Sequence, residues 1–224
     1  MALKKGTSPD LFFLTMRTLF QLPRVYPITD VQLSGLSHAE QARLLSLGGA
    51  SFIQLREKRM PALEFYEQAK AAQLHGVRLI INDRVDIALA VGAAGVHLGQ
   101  DDLPPEAARK LLGPQAIIGY STHNIDQAIN AIQQPIDYLA IGPVFSTTTK
   151  SDTAPVLGLE GLRAIRQAIG NFPLVAIGLG SAAGSSSPRR ASPRGCPKVR
   201  SSPPRRPPAS CGTGPRGPSA IRRA

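Results

Sequence analysis

The sequence predicts an α/β protein: a TIM-type (β/α)8 barrel that stops after its seventh strand. Three observations carry that expectation. From Val25 onward, short β-branched runs alternate with helical patterns, which demands crossover connections and a parallel sheet. Polar clusters follow five of the seven expected strands. An open doubly wound sheet would gather its site at one switch point, whereas a barrel draws on many strand ends. After Gly178 the alternation ceases and the composition changes abruptly.

In chain order, strand one is Val25–Thr29, and Ser37 opens a helix through Leu47. The segment Ser-His-Ala-Glu there reads as a capping box, with Ser37 serving the N3 amide and Glu40 reaching back. Strand two, Ser51–Leu55, leads to a helix from Pro61 to Leu74, proline being favoured in a first helical turn. Strand three is Leu79–Ile81 with a helix over Arg84–Val91. Strand four is Gly95–Leu98 with a helix over Pro104–Leu112. Strand five, Ile117–Tyr120, precedes a helix over Asn124–Gln133. Strand six, Tyr138–Ile141, precedes a helix over Leu159–Ile169, and strand seven is Leu174–Ile177.

The formal charge of +11 is concentrated at one end. Residues 179–224 hold nine Arg, one Lys and no acid, while residues 1–178 carry sixteen basic and fifteen acidic residues. The body is therefore near neutral, with no charge-based case for nucleic acid. Both cysteines, Cys196 and Cys211, lie beyond Gly178. No disulfide framework or zinc site is expected, and a cytoplasmic location fits. Residues 1–24 read as an N-terminal extension with a short amphipathic helix over Asp10–Phe20. Arg17 interrupts its apolar run, so it matches neither a signal peptide nor a membrane span; a start at Met16 is the alternative. Residues 179–224, with nine Pro, six Gly and no aromatic residue, are expected to be disordered. A shifted reading frame explains that composition better than an RNA-binding tail.

The loop after strand six concentrates chemistry. Ser146, Thr147, Thr148 and Thr149 are followed by Lys150, a run of hydroxyls and one ammonium suited to a phosphate or pyrophosphate. Gln54, Arg56 and Lys58 alternate along the end of strand two and share one side, which leaves Glu57 and Arg59 as surface residues. Asp83 and Asp102 follow neighbouring strands. Each is either a Mg²⁺ ligand or a helix N-cap, and Asp101 competes with Asp102 for the metal. His97 and His123 read as barrel-lining histidines satisfied by neighbours.

Six motifs in order complete the pattern: YPITD at 26–30, IQLREK at 53–58, INDRVDIAL at 81–89, GVHLGQDDLP at 95–104, IGYSTH at 118–123 and GPVFSTTTK at 142–150. Together, across residues 25–178, they resemble the thiamine-phosphate synthase family. The resemblance implies a TIM barrel that joins 4-amino-2-methyl-5-pyrimidinylmethyl diphosphate to thiazole phosphate. It releases pyrophosphate and requires magnesium. Carried onto this sequence, it implies that Gln54, Arg56, Lys58 and Asn82 hold the pyrimidine diphosphate, with Lys150 also on the diphosphate. Ser121 would sit beside the reacting carbon. Thr147, Thr149 and Gly178 would face the thiazole phosphate, and Asp83 and Asp102 would be the metal ligands. The chemistry agrees: diphosphate leaves a benzylic-type carbon on an electron-rich ring. A dissociative path through a pyrimidine carbocation therefore needs charge neutralisation and positioning more than covalent help.

Two departures from the family stand out. The helix after strand two is about two turns shorter than usual. Family members continue Ala-Ile-Gly-Gly-Ile into an eighth strand, whereas here Gly178 runs into Leu179. The chain is therefore expected to be poorly soluble or inactive. The rival readings are a barrel that only binds pyrimidine diphosphate, and a thiazole tautomerase using His123 as proton shuttle.

Overall fold

A computed structural model describes residues 21–145 and 155–178. Within them the order is β1 (Ile28–Thr29), α1 (Val31–Ser34), α2 (His38–Leu47), β2 (Phe52–Leu55), α3 (Ala62–Gln73), β3 (Arg78–Asn82) and α4 (Val85–Val91). It continues with β4 (Gly95–Leu98), α5 (Pro105–Leu112), β5 (Ile117–Thr122), α6 (Ile125–Ala131), β6 (Tyr138–Ile141), α7 (Gly158–Ile169) and β7 (Leu174–Ala176). Every strand pairs in parallel with its sequence neighbours, in the order β1 to β7. Such an order has no switch point, so right-handed crossovers keep the helices on one face of the sheet. This is the α/β barrel architecture the alternation predicts, seven strands long among the described residues.

The other face closes on itself. Tyr26 lies just before β1 and Tyr138 lies on β6, five strand spacings away. At ~4.8 Å per spacing a flat sheet would hold them about 24 Å apart. Their hydroxyls are instead 2.9 Å apart and their rings 5.8 Å apart, edge to face. The sheet is curled into most of a barrel.

Strand periodicity then sorts the side chains into two layers. Ile53, Leu55, Leu79, Ile81, Val96, Leu98, Ile118, Leu139 and Ile141 point outward into the main core. Small helix residues such as Ala42, Ala69, Ala88, Ala108 and Ala128 let the helices approach them closely. The alternate set faces the lumen. The registers Gln54↔Ile80, Asn82↔His97, Gly119↔Tyr138 and Ser121↔Ala140 align it from strand to strand. Gly119 is required here: a Cβ would lie 2.0 Å from Tyr138 Cζ and 2.5 Å from His97 Nδ1.

Caps fix where the helices begin. Asn124 Oδ1 accepts from Gln127 N at 2.9 Å to start α6, and Asp30 Oδ1 accepts from Leu33 N at 3.0 Å to start α1, a turn the apolar pattern does not reveal. Ser37 Oγ accepts from Glu40 N at 3.2 Å, but Glu40 pairs with Arg43 at 2.8 Å rather than returning to the Ser37 amide. Only half of the predicted capping box forms, because a neighbouring guanidinium outcompetes the reciprocal bond. At the end of the barrel away from the strand C-termini, the buried Arg109 donates to Pro135 O at 3.0 Å and to Asp137 Oδ2 at 2.7 Å. It ties the loops entering β5 and β6 together. The predicted N-terminal helix and the segment 179–224 lie outside the described residues.

Candidate active site

The C-terminal ends of the strands gather the polar side chains. Beyond β3, Asp83 adopts φ 63°, a left-handed conformation that aspartate tolerates better than bulkier residues. Its amide donates to His97 O at 2.8 Å, which turns the chain so that the carboxylate meets β2 and β4. Asp83 Oδ2 accepts from Lys58 Nζ, and its carboxyl also lies within hydrogen-bonding reach of Asp102. Burial pushes the Asp83 carboxyl above its usual range, Lys58 opposes that, and Asp102 adds to it. Two carboxyls so close, with one ammonium beside them, are repulsive unless a proton or a cation is shared.

Neither carboxylate serves its helix as an N-cap. The N-cap positions of α4 and α5 are Arg84 and Pro104, neither of which makes a side-chain cap. Asp102 Oδ2 instead accepts from Gly99 N at 2.6 Å, fixing the loop after β4. The capping alternative therefore falls away. Asp101 is exposed, whereas Asp102 is partly buried. Among the described residues no cluster of three or more metal-binding side chains occurs. Magnesium does not need one, since it binds through one or two carboxylates and completes its shell with phosphate and water oxygens. The residues present fit that ion.

Around this pair stand the other sequence-predicted residues. Gln54 is buried in the lumen, and Arg56 Nη1 lies 4.0 Å from Asp30 Oδ2. Asn82 is also buried, and its Nδ2 has no partner among the described residues. An orphaned amide donor at the barrel mouth is a position for an acceptor atom of a ligand. Ser121 Oγ is 2.8 Å from His97 Nε2, and Gln100 Nε2 donates to Ser121 O at 2.5 Å. Gly178 O accepts from Phe145 N at 2.8 Å, and Ile177 O from Val144 N at 2.9 Å, so the start of the β6–α7 loop is laced to the end of β7. Thr147, Thr149 and Lys150 lie outside the described residues. His123 Nδ1 donates to Gly142 O at 2.8 Å.

One expectation is overturned. Glu57 is not a surface residue. Its Oε1 accepts from the amides of Lys58 and Arg59, both at 2.7 Å, and of Met60 at 3.1 Å. Its Oε2 lies 3.2 Å from Nε2 of the buried His38, whose Nδ1 is 2.6 Å from Thr29 Oγ1. Strand periodicity ends at Leu55, so counting alternate positions beyond it misplaced this side chain. Burial works to raise the Glu57 pKa, but the bonds from Arg59, His38, Met60 and Lys58 outweigh it and hold the carboxyl below its usual range.

Sequence reasoning also missed a chain of contacts along the lumen. Gln54 Nε2 donates to the Tyr26 hydroxyl at 3.1 Å. Tyr26 meets Tyr138, and the Tyr138 hydroxyl lies 3.0 Å from His97 Nδ1. The inward parity of Tyr138 and His97 was the available signal.

A family model described as thiamine monophosphate synthase matches residues 25–184. A curated thiamine-phosphate synthase of Chloroflexus aurantiacus is 48% identical over 160 residues, covering 69% of this chain and 73% of that protein. Another, of Syntrophomonas wolfei, is 50% identical over 159 residues, covering 69% and 76%. Among solved structures, thiamine phosphate pyrophosphorylase from Pyrococcus furiosus superposes with a TM-score of 0.60 at 41% identity, covering 68% of this chain and 73% of that one.

Proposed function

Because the chain belongs to the thiamine monophosphate synthase family, enzymes of thiamine biosynthesis, we propose that its barrel mouth transfers a pyrimidinylmethyl group from diphosphate to thiazole phosphate. The observation that carries this reading is the convergence of Asp83, Asp102 and Lys58 beside the orphaned Asn82 amide. That arrangement is net negative on its own, so it suits a divalent cation and, through that cation together with Lys58 and the Asn82 amide, an oxygen-rich anion. Lys58 and Arg56 supply cationic charge to phosphate oxygens, and Asn82 Nδ2 donates to whichever acceptor lies deepest. Asp83 and Asp102 would hold Mg²⁺, which when bound supplies positive charge against the departing diphosphate.

The remaining residues align the reactants. Gln54 sits inside the lumen, where a flat aminopyrimidine would meet its amide, and Ser121 faces the carbon from which diphosphate departs. Thr147, Thr149, Lys150 and Gly178 complete the assignment, the first two and Gly178 for the thiazole phosphate and Lys150 for the diphosphate. Since the bond to diphosphate breaks before the new bond forms, the protein's contribution is neutralised charge and a second reactant held within attack distance. A cytoplasmic location fits the cysteine-free body of residues 1–178. His123 belongs to the rival isomerase reading, which gives no role to the cluster around Asp83.

The deciding experiment incubates the purified chain with both substrates and Mg²⁺ and follows thiamine phosphate and released pyrophosphate. Calorimetry with each substrate alone accompanies it. Tight Mg²⁺-dependent binding of the pyrimidine diphosphate, lost in Asp83→Asn, is expected. Binding indifferent to both metal and that substitution would end the assignment.

A further inference from the structure

Thr29 on β1, His38 opening α2 and Glu57 after β2 form a polar file between the sheet and the helices, behind the site rather than in it. Thr29 and His38 are fully buried, and the Glu57 side chain is 15% exposed. His38 Nδ1 lies 2.6 Å from Thr29 Oγ1, and its Nε2 lies 3.2 Å from Glu57 Oε2. The ring packs against Phe65 of α3 with centroids 5.6 Å apart, and the next amide, of Ala39, donates to Gln68 Oε1 of α3 at 3.2 Å. A leucine could fill that space without burying two ring nitrogens, so packing alone does not account for a histidine.

Its use follows from Glu57. One oxygen, Oε1, accepts from the amides of Lys58, Arg59 and Met60. Successive amides turned onto one anionic oxygen form a nest, and the nest fixes the backbone that supplies them. It lasts only while the carboxylate keeps its orientation, which is set at the other oxygen, where His38 stands. Burial works to raise the Glu57 carboxyl, but the bonds from Arg59, His38, Met60 and Lys58 hold it below its usual range. At neutral pH it is therefore ionised and can only accept. The ring nitrogen facing it carries a hydrogen, whether the imidazole is neutral or charged. Thr29 serves the other nitrogen in both cases, its hydroxyl donating to the ring or to Gln54 O at 3.3 Å.

The turn so fixed carries Lys58, whose ammonium reaches Asp83. That lysine side chain is 52% exposed. A half-exposed lysine is a flexible four-carbon stem with little packing to hold it, so its aim is set by where its backbone stands. We infer that His38 is a positioning residue for the anion site: its Nε2–H holds the Glu57 carboxylate, Glu57 holds the turn of residues 58–60, and the turn delivers the Lys58 ammonium to the barrel mouth. His38 touches no ligand itself. Its role toward an anion rests on the proposed function, whereas its hold on the turn does not, and separate measurements read the two.

The test uses the full chain, with inorganic pyrophosphate and Mg²⁺ as the probe and calorimetry as the readout. His38→Asn can still meet Thr29 but is too short for Glu57, whereas His38→Gln places an amide nitrogen close to the Nε2 position. His38→Asn is expected to weaken binding by about 10–100-fold, the range for a residue that orients a ligating group from behind. His38→Gln is expected to bind close to the unaltered chain. In a Lys58→Ala background His38→Asn should cost nothing further, because its effect passes through the lysine. An equal loss in both backgrounds, or unchanged affinity in His38→Asn, would overturn the inference. So would a folded His38→Gln that binds as weakly as Lys58→Ala, a result that decides even if His38→Asn does not fold. Amide hydrogen exchange is measured on the same proteins without ligand. The Lys58, Arg59 and Met60 amides should lose protection in His38→Asn and keep it in His38→Gln, while the amides of β2 stay protected in both. Failure of the unaltered chain to bind Mg²⁺-pyrophosphate would remove the anion site but not the hold on the turn. Equal protection of the 58–60 amides in all these proteins would refute that hold.

Discussion

At the scale of single residues, the site depends on what stands behind its charges. Lys58 reaches Asp83 because Glu57 gathers three consecutive amides and thereby folds the chain after β2 back toward the mouth. The Glu57 carboxyl is held below its ordinary pKa of 4.5, so the folded state binds this proton less readily than the unfolded one. Its contribution is full above the ordinary value and disappears as pH falls through the folded one. Glu57→Gln should therefore be less stable than the unaltered chain at neutral pH, by about 1–3 kcal/mol for hydrogen bonds to a charged group. The gap should narrow on acidification below about pH 4.5. Urea melts of both proteins between neutral and acid pH measure it, and a constant gap would remove the carboxylate's charge from the explanation. Lys58→Ala leaves the Asp83–Asp102 pair without its ammonium. It should lower kcat by about 10²–10³-fold, as expected for removing a charge from a developing anion. Steady-state rates with and without added Mg²⁺ check it.

The elements show which parts of this arrangement could be read in advance. The β/α alternation, the parallel order and the positions of Asp83, Asp102, Asn82 and Gln54 follow from periodicity and from turns at strand ends, signals that are local in sequence. The Tyr26–Tyr138 contact, the His97 tether and the inward turn of Glu57 are not local, because they arise only when distant strands curl together or when periodicity lapses beyond Leu55. Gly119 illustrates the difference. In sequence it is one glycine in a β-branched run, where it weakens the expectation of a strand. In the sheet it is the gap that Tyr138 occupies. Gly119→Ala is expected to overpack the lumen at a cost of about 1–3 kcal/mol. At about 2–4 °C per kcal/mol for a domain of this size, a fall in Tm of roughly 2–12 °C should follow. A melting curve measures it; Gly119→Ala/Tyr138→Phe is expected to recover little, because phenylalanine keeps the Cζ that the new methyl meets at 2.0 Å.

For the molecule as a whole, the open question is what lies between β1 and β7. The chain spans about three quarters of the length of the relatives it matches. Among the described residues neither outer edge has a paired strand. β1 is two residues long and β7 only half buried, the pattern of edge strands rather than of a closed ring. Val25, at 75% exposure beside β1, and Val156, at 55% in the segment entering α7, leave apolar surface exposed. Stability of a domain is a small residue of large terms, about 5–15 kcal/mol, and the edge ladders of one β/α unit are a substantial share of it. We therefore expect that replacing residues 179–224 by the eighth β/α unit of a relative raises both Tm and turnover and reduces concentration-dependent aggregation. Thermal melts, light scattering and initial rates of the two chains make the comparison. Equal Tm and equal rates would mean that residues outside the described set already complete the ring. The Asp83 cluster, built on the neighbouring ends of β2, β3 and β4, should then behave alike in both proteins.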